Sequence, residues 1–528
     1  MIWFFAASAV ALASPSRQIA HSVLVRCARP GNSGGDGAFA DRALHSALTK
    51  SEHLSASDRA QATEIVYGVM RSMSLLDYRL QQLASSPAFA KKTPIQTLCA
   101  LRVGAFELLY MKTPDHAAVD EAVSLVGGKA PRAQKSFVNG VLRNLARRRD
   151  ANSLAPPSDD EKLSRLEAIS IETSTPEWLL RELHERSGLL GSTDELAEWA
   201  EASSKRPPLA LRVNRRKSTG ALVLSKLLAA GLTVESVEGL EDALLLDTAK
   251  GKVSDLPGFA EGEFSVQDVG AQLVALLAAP IDTPDALVLD CCAAPGGKSC
   301  HLAELIDETS RVVSVEVHAR KARLIEQSAA RLGLEESVQV RVADATSAQA
   351  LLQALRESRT SSGGGSEGSE GGGEGSGGGS EGSEGGECGT EEGAAERLAD
   401  AVILDAPCSG LGTLRRNPEH RYRSADPSGY TELCKLQATL LDATAGCVRV
   451  GGTLTYSVCS PLLEETDAAV AAFLERQAGS FEVVRPTLAA LEPFVADSAA
   501  LGPGTCVRSW THRHPADGHF ACKLVRCS

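Results

Sequence analysis

Long apolar runs are missing from this sequence, and none reaches the roughly 18 to 20 residues that a helix needs to cross a bilayer. We therefore expect no membrane segment and no membrane partner. The 13 cysteines include no Cys-x-x-Cys pair and no Cys/His spacing of a zinc site. They indicate free thiols in a reducing compartment and no bound metal. A chain of 528 residues is too long for one hydrophobic core, so we expect roughly two to four domains.

Acidic residues are absent from the start of the chain, where Asp36 is the first. An apolar opening, residues 1–13, is followed by serines and by arginines that include Arg17 and Arg26. This pattern is more typical of a targeting segment than of a folded element. We predict that residues 1–36 form a targeting or disordered segment outside the fold. The pattern resembles a plastid presequence and so predicts an organelle location; a mitochondrial presequence and an unprocessed cytoplasmic tail are the alternatives.

Apolar residues are nearly absent from residues 361–393, which consist almost wholly of glycine, serine and glutamate. Such a composition buries too little apolar surface to offset the entropy of ordering, so we predict a disordered insertion between two strands. The insertion holds eight glutamates and no lysine or arginine, whereas the whole chain has a net charge of −13. The remainder therefore carries only −5, which leaves room for local basic surfaces that bind nucleic acid.

A short apolar run, residues 286–289, ends at Asp290 and is followed by a Pro-Gly-Gly turn and a helical pattern. This order predicts a buried parallel strand, a turn that approaches a ligand closely, and a helix. Four further apolar runs carry or lead to a polar or reactive residue: Glu316, Asp344, Asp405 and Cys459. In an open parallel sheet, ligands bind beyond the carboxyl ends of the strands. These strand ends therefore predict one shared site.

Three motifs lie at these strand ends: CCAAPGGKS at residues 291–299, DAPCSGLGTLRRNPEHRYR at residues 405–423 and GGTLTYSVCSPLLEETD at residues 451–467. Together they resemble motifs of the S-adenosylmethionine-dependent RNA cytosine-C5 methyltransferases, and over most of its length the chain is similar to the Sun/RsmB type, which modifies small-subunit ribosomal RNA. The resemblance implies an α/β fold, in which a class I, Rossmann-like methyltransferase sheet follows an all-α NusB-like domain and a small α+β RNA-binding module.

The resemblance also implies S-adenosylmethionine as cofactor, ribosomal RNA as partner, and a monomer. The predicted activity is the formation of 5-methylcytosine in small-subunit ribosomal RNA. Two alternatives are a methyltransferase that acts on transfer RNA and a non-catalytic, NusB-like RNA-binding or antitermination factor. The presence of both motif cysteines argues against the second.

Helical periodicity and the resemblance together divide the chain. Apolar residues recur at spacings of three and four across residues 37–150, the region that resembles a NusB-like helical RNA-binding domain. The other predicted units are a linker at residues 151–175, the small α+β module at residues 176–280, and the catalytic domain at residues 281–528 with its insertion.

Carbon 5 of cytosine is a poor nucleophile, but a thiolate that adds to carbon 6 turns the ring into an enamine whose carbon 5 can take a methyl group. The resemblance implies that Cys459 is the attacking cysteine and that Cys408 assists product release. Asp405 lies close to Cys408 in sequence. It is implied to contact either the amino group of the methyl donor or ring nitrogen 3 of the base, where it would stabilise the adduct.

By the same resemblance, backbone groups wrap the methionine part of S-adenosylmethionine. They belong to Cys292, Ala293, Ala294, Pro295, Gly296, Gly297 and Lys298. Glu316 would accept the ribose hydroxyls, and Asp344 would lie by the adenine. Gln267 and Asp268 match the segment that borders the pocket in the family, although a helix N-cap with a polar neighbour explains them equally well.

Three groups of arginines are candidates for phosphate contacts that hold RNA without reading its sequence. They are Arg143 and Arg147 in a basic helix, Arg215 and Arg216 in a basic strand, and Arg415, Arg416 and Arg421 in the later part of the second motif, after Cys408. A helical bundle with a solvated basic face is the alternative for the first group. The chain departs from the family pattern at three positions: Glu316 in place of Asp, Thr466 in place of Asn, and His519 in place of an aromatic residue.

Overall fold

The computed structural model describes residues 13–528 except for residues 29–39, 52, 85–88, 128–129, 248–251, 281–282, 361–397 and 423–426. The predicted insertion at residues 361–393 therefore lies outside the described residues. The described residues form a helical bundle, a set of connecting helices, a small antiparallel sheet and a large mixed sheet.

An all-α domain comes first. Its helices are α1 (Pro15–Cys27), α2 (Ala40–Thr49), α3 (Ala56–Arg71), α4 (Met73–Leu83), α5 (Phe89–Lys92), α6 (Ile95–Tyr110), α7 (Asp115–Leu125) and α8 (Arg132–Asp150). Helix α3 begins with a capping box, in which Ser55 and Asp58 satisfy each other's backbone N–H groups. Helix α6 is apolar on most sides and lies at the centre of the core, which the other helices surround.

Helix α1 belongs to this core. Its Val23 is 2% exposed, and the guanidinium of Arg17 pairs with the buried carboxylate of Glu107 at 2.6 Å. The prediction that residues 1–36 lie outside the fold was therefore wrong for residues 15–27. An acid-free stretch with arginines looks like a presequence, but here the acidic partner lies on α6, distant in the sequence.

Three helices connect the all-α domain to the sheets: α9 (Arg165–Thr173), α10 (Glu177–Arg181) and α11 (Thr193–Ser204). Ile169 of α9 and Trp199 of α11 pack in one core with Leu411 and Trp510, which lie near the C-terminal sheet. The prediction that residues 151–175 form a linker was thus wrong for α9, because this helix buries its apolar side against its neighbours.

A small α+β unit follows. It consists of β1 (Leu209–Val213), α12 (Gly220–Ala229), β2 (Val234–Val237), β3 (Leu240–Leu246) and β4 (Phe264–Val266). The strands are antiparallel in the order β2-β3-β1-β4. Side chains alternate along β1, so Leu211 and Val213 pack under α12, whereas Ala210 packs in a core of the C-terminal domain.

The C-terminal domain is built on a large sheet. Its elements are α13 (Val269–Ala278), β5 (Leu287–Cys291), α14 (Gly297–Leu305), β6 (Arg311–Val315), α15 (Ala319–Leu332), β7 (Val338–Arg341), α16 (Ala348–Thr360), β8 (Ala399–Asp405), α17 (Thr431–Ala445), β9 (Val448–Val458), α18 (Asp467–Arg476), β10 (Phe481–Val484), β11 (Val495–Ser498), β12 (Gly502–Ser509) and β13 (His519–Arg526). The strand order is β11-β12-β13-β9-β8-β5-β6-β7, and β10 pairs with β13.

Strands β9, β8, β5, β6 and β7 are parallel, whereas β13 is antiparallel to β9. Strand β5 is buried along its whole length, as expected for a parallel sheet that is covered on both faces. The predicted fold class, a Rossmann-like sheet after an all-α domain and a small α+β module, is confirmed. In the described part of the chain, no helix is long and apolar enough to cross a membrane.

Candidate active site

Strands β8 and β9 are parallel neighbours, and their register pairs Asp405 with Ser457. The segments that follow them bring Cys408 and Cys459 to the same sheet edge, where the two Sγ atoms lie 3.4 Å apart. Both side chains are half-buried. The hydrogen bond to Cys459, together with burial, raises the pKa of Cys408 well above its usual range. Cys408 is therefore held as the thiol, and its sulfur lies within hydrogen-bond distance of the sulfur of Cys459.

Asp405 is held from two sides at the end of β8. The ammonium group of Lys298 lies 2.6 Å from its Oδ2 atom, and the hydroxyl of Ser457 donates to its Oδ1 atom at 2.8 Å. Burial lowers the pKa of Lys298, but the charge and the hydrogen bond of Asp405, together with smaller contributions from nearby groups, raise it by more, so the net shift is upward. Lys298 therefore stays charged near neutral pH and fixes the direction of the Asp405 carboxylate. Sequence reasoning missed Ser457, although it lies in the same motif as Cys459.

The turn between β5 and α14 bends tightly beside these groups. Cys292 and Gly296 have φ angles of 60° and 100°, and a β-carbon on Gly296 would lie 3.0 Å from the Cα atom of Ile325. Both conformation and space therefore favour glycine at this position. No side chain of the described residues caps α14, so its first backbone N–H groups are available to a carboxylate or another anion.

Asp290, at the end of β5, lies under this turn. Its Oδ2 atom accepts a hydrogen bond from the Ser299 hydroxyl at 2.6 Å, whereas its Oδ1 atom is buried and has no hydrogen-bond partner in the described structure. Burial raises the pKa of Asp290 to about 7. An unpaired buried oxygen is uncommon, and Asp290 is fully buried beneath the turn.

Two predicted cofactor carboxylates follow β6 and β7. Glu316 is 6% exposed, and its Oε1 atom accepts from the backbone N–H of His318 at 3.0 Å. Asp344 is exposed and accepts from the backbone N–H and the hydroxyl of Thr346 at 2.9 and 2.8 Å. The backbone hydrogen bond lowers the pKa of Asp344. The structure thus places both carboxylates at adjacent strand ends, as the sequence predicts.

Apolar surface lies beside these carboxylates. Val317 and Val342 are 53% and 58% exposed at the ends of β6 and β7. Sequence reasoning missed them, although each lies within two residues of a predicted carboxylate. The site thus offers three kinds of contact: backbone N–H groups at the turn, carboxylates that can accept hydrogen bonds from hydroxyls, and an apolar surface for a flat ring. These contacts fit a nucleoside that carries an amino acid, such as S-adenosylmethionine.

Arg212 braces the turn from behind. Its side chain is fully buried; its Nε and Nη2 atoms donate to Glu304 at 3.0 and 2.6 Å, and its Nη1 atom donates to the carbonyl oxygen of Gly297 at 2.7 Å. The same Nη1 atom donates to Gln267. Gln267 therefore supports the turn through Arg212, while Asp268 caps α13 by accepting from the Gly270 N–H at 2.9 Å.

Arg415 and Arg416 are engaged within the protein. Both pair with Asp517, and Arg416 also donates to Asp268 at 2.8 Å. Arg415 is buried, and so is Asp517. The prediction that these two arginines contact RNA phosphates was therefore wrong, because acidic residues distant in sequence already occupy their guanidinium groups.

Arg421 is likewise unavailable to RNA. It is 2% exposed and donates to the carbonyl oxygen of Ser203 at 2.6 Å. Burial lowers its pKa to about 10. Its predicted phosphate contact was wrong as well, since the side chain joins the C-terminal domain to α11.

The remaining predicted arginines differ from one another. Arg143 and Arg147 are exposed on α8. Arg215 is exposed but paired with Asp242, and Arg216 is half-buried and donates to the carbonyl oxygen of Ile306 at 3.1 Å. Among the predicted arginines, those on α8 are thus the most accessible to a phosphate backbone.

Known proteins match this chain in three parts. Residues 14–147 match the NusB family, residues 175–253 match the ferredoxin-like domain of RsmF/B-like methyltransferases, and residues 276–357 and 386–525 match the family described as 16S rRNA methyltransferase RsmB/F.

Curated relatives and a solved structure extend over most of the chain. The probable ribosomal RNA small subunit methyltransferase B of Bacillus subtilis is 32% identical over 91% of this chain and 93% of its own. The protein of the same name from Synechocystis is 32% identical over 83% and 85%. The crystal structure of PH0851 has a TM-score of 0.68 and covers 98% of this chain and 100% of its own, at 22% identity, which shows a shared fold.

Proposed function

The chain belongs to the RsmB/F family of 16S rRNA methyltransferases, and we propose that it forms 5-methylcytosine in a small-subunit ribosomal RNA through a covalent cysteine–cytosine adduct. The observation that carries the choice of cytosine carbon 5 is the pair of cysteine sulfurs, 3.4 Å apart at one strand edge. Methyl transfer to an exposed nitrogen or hydroxyl needs no thiol, whereas carbon 5 needs a nucleophile at carbon 6 and a second group to help reverse that bond.

In the proposed reaction, the Cys459 thiolate forms a bond to carbon 6, and the ring electrons move to carbon 5. S-adenosylmethionine, held by the turn at residues 292–298 with Glu316 and Asp344, supplies the electrophilic methyl group. After methyl transfer, water takes the proton from carbon 5, the electrons of that bond re-form the ring double bond, and the carbon 6–sulfur bond breaks, which returns the thiolate and the aromatic ring. The short separation of the two sulfurs supports this assignment, because it places the protonated thiol of Cys408 beside the carbon–sulfur bond that must break.

Asp405 is proposed to act on the base or on the methyl donor. Lys298 and Ser457 fix its carboxylate, and fixed charges stabilise a reacting ring more strongly in a closed site than in water. Exposed Arg143 and Arg147 on α8 support RNA binding at the all-α domain. An organelle location, with the signal in residues that precede α1, is also proposed.

The test is a methylation assay with purified protein, labelled S-adenosylmethionine and either small-subunit ribosomal RNA or transfer RNA. Digestion to nucleosides and mass spectrometry identify the product. We expect label in 5-methylcytidine from ribosomal RNA and none with Cys459→Ala, while Cys527→Ala, a substitution of an exposed cysteine that follows β13, retains activity. A different methylated nucleoside, or label only in transfer RNA, would contradict the proposal.

A further inference from the structure

Glu465 contacts both loops that carry the paired cysteines. It is fully buried, and its Oε1 atom accepts from the backbone N–H of Ser409, the residue after Cys408, at 2.9 Å. Its Oε2 atom accepts from the hydroxyl of Ser460, the residue after Cys459. We infer that Glu465 is a positioning residue, which sets the separation of the two cysteines by binding the residue that follows each of them.

Further hydrogen bonds hold Glu465 in place. The side-chain amide of Gln437, on α17, donates to the Oε1 atom of Glu465 at 3.0 Å and to the carbonyl oxygen of Pro407 at 2.9 Å. The loop is thus held on both sides of Cys408. We call Glu465 with Ser409, Ser460 and Gln437 the clamp. The hydroxyl of Tyr456 donates to the carbonyl oxygen of Glu465 at 2.8 Å, which connects the clamp to β9.

The network requires a carboxylate at residue 465 and does not accept an amide. Ser460 Oγ accepts from the Ser409 hydroxyl at 3.0 Å and from the Leu462 N–H at 3.1 Å, so both of its lone pairs are used and its single hydrogen goes to Glu465. An amide nitrogen in place of Oε2 would meet an oxygen with no free lone pair. In place of Oε1 it would meet two donors. Glu465→Gln therefore keeps the volume of the side chain and breaks one branch of the clamp.

The experiment compares Glu465→Gln with Glu464→Gln, the same substitution at an exposed neighbour. The first measurement is the rate at which oxidised glutathione converts Cys408 and Cys459 to a disulfide, followed by peptide mass spectrometry. One cysteine thiolate displaces a glutathione thiolate, and the second cysteine displaces the other, so the reagent takes up the two electrons. This rate depends on the distance between the sulfurs and not on methyl transfer.

The second measurement, which rests on the proposed function, is kcat and KM for RNA methylation. For Glu465→Gln we expect a disulfide rate lower by roughly tenfold and a kcat lower by roughly a hundredfold, as for a displacement of about 1 Å at a reacting centre. The KM for S-adenosylmethionine should not change, and Glu464→Gln should match the wild type. Wild-type disulfide rate and kcat in Glu465→Gln would overturn the inference.

Ser460→Ala keeps the test decisive if Glu465→Gln unfolds, because it removes one hydroxyl from the clamp and leaves the carboxylate with its other donors. A slower disulfide rate in Ser460→Ala at wild-type thermal stability supports positioning by Glu465, and an unchanged rate overturns it. If the wild-type protein forms the disulfide but does not methylate RNA, the proposed function fails while the disulfide rates still test the clamp.

Discussion

The sulfurs of Cys408 and Cys459 lie 3.4 Å apart, within hydrogen-bond distance of each other. The hydrogen bond between the two sulfurs, together with burial, raises the pKa of Cys408 well above its usual range. Two sulfur groups in contact can take separate roles in forming and breaking one carbon–sulfur bond.

Substitution of the two cysteines should give opposite phenotypes. Cys459→Ala should reduce methylation to background, because no adduct forms. Cys408→Ala should still add to the base and transfer the methyl group but should fail to complete elimination, so that enzyme accumulates bound to methylated RNA. Denaturing gels should show a slow, heat-stable band that ribonuclease removes. The same band in Cys459→Ala instead would exchange the two roles.

Substitution of Asp290 should change how stability depends on pH. Folding raises the pKa of this carboxyl from 3.8 to about 7, so between these values the folded chain holds a proton that the unfolded chain has released. Stability from this group therefore falls as pH rises through that range. In Asp290→Asn the loss of unfolding free energy between about pH 5 and about pH 8 should be smaller than in the wild type, as measured by urea unfolding.

Ser299→Ala provides the matched control for this prediction. The Ser299 hydroxyl donates to Asp290 at 2.6 Å and lowers its pKa, so removal of the hydroxyl should steepen the fall in stability with pH. Equal pH profiles for the wild type and Asp290→Asn would show that Asp290 is already ionised in the folded protein at low pH.

Substitution of a mostly buried arginine and of exposed arginines should have different effects on stability and on RNA binding. Arg416→Ala should lower the unfolding free energy by about 3 to 5 kcal/mol, because Asp517 and Asp268 lose a partner in a mostly buried cluster. Arg143→Ala with Arg147→Ala should leave stability within about 0.5 kcal/mol and weaken RNA binding with a smaller salt slope. Calorimetric unfolding and RNA titrations at several salt concentrations make the comparison. Normal stability in Arg416→Ala would contradict the buried role.

Truncations of the N-terminus should distinguish α1 from the residues before it. Removal of residues 1–12 should leave the unfolding temperature unchanged, since α1 and its N-cap, Ser14, remain. Removal of residues 1–28 should cost about 3 to 5 kcal/mol or more, because it leaves the carboxylate of Glu107 buried without Arg17. Equal unfolding temperatures for the two truncated proteins would contradict the placement of α1 in the core.

Much of this organisation is readable from the sequence because it is local. Apolar runs that end in reactive residues predict the parallel strands, and the motifs that follow them predict the family and S-adenosylmethionine as cofactor; all of these are confirmed. The order of the strands in the sheet could not be predicted from local patterns. Strand β13, for example, lies antiparallel beside β9 although it belongs to the last residues of the sequence.

Errors arose where a charge finds its partner far along the chain. Composition shows that Arg17 and Arg416 are basic, but it does not show that they form ion pairs with Glu107 and Asp517 in the folded protein. The positioning role of Glu465 was not predicted for the same reason, since its two serine partners belong to different motifs. Residue type predicts the chemistry that a group can do, and long-range contacts decide whether it is free to do it.

The buried bridge from Arg212 on β1 to Glu304 and the Gly297 carbonyl has a mechanical consequence. It joins the small antiparallel sheet to the turn at residues 292–298. The two therefore do not move independently toward a base that is stacked within an RNA helix. Deformation then falls on the RNA, which must turn its base out of the stack at a cost of a few kcal/mol. Under the proposed function, the choice of target would then depend on how easily the RNA deforms, and a cytosine already unstacked in a loop should react first.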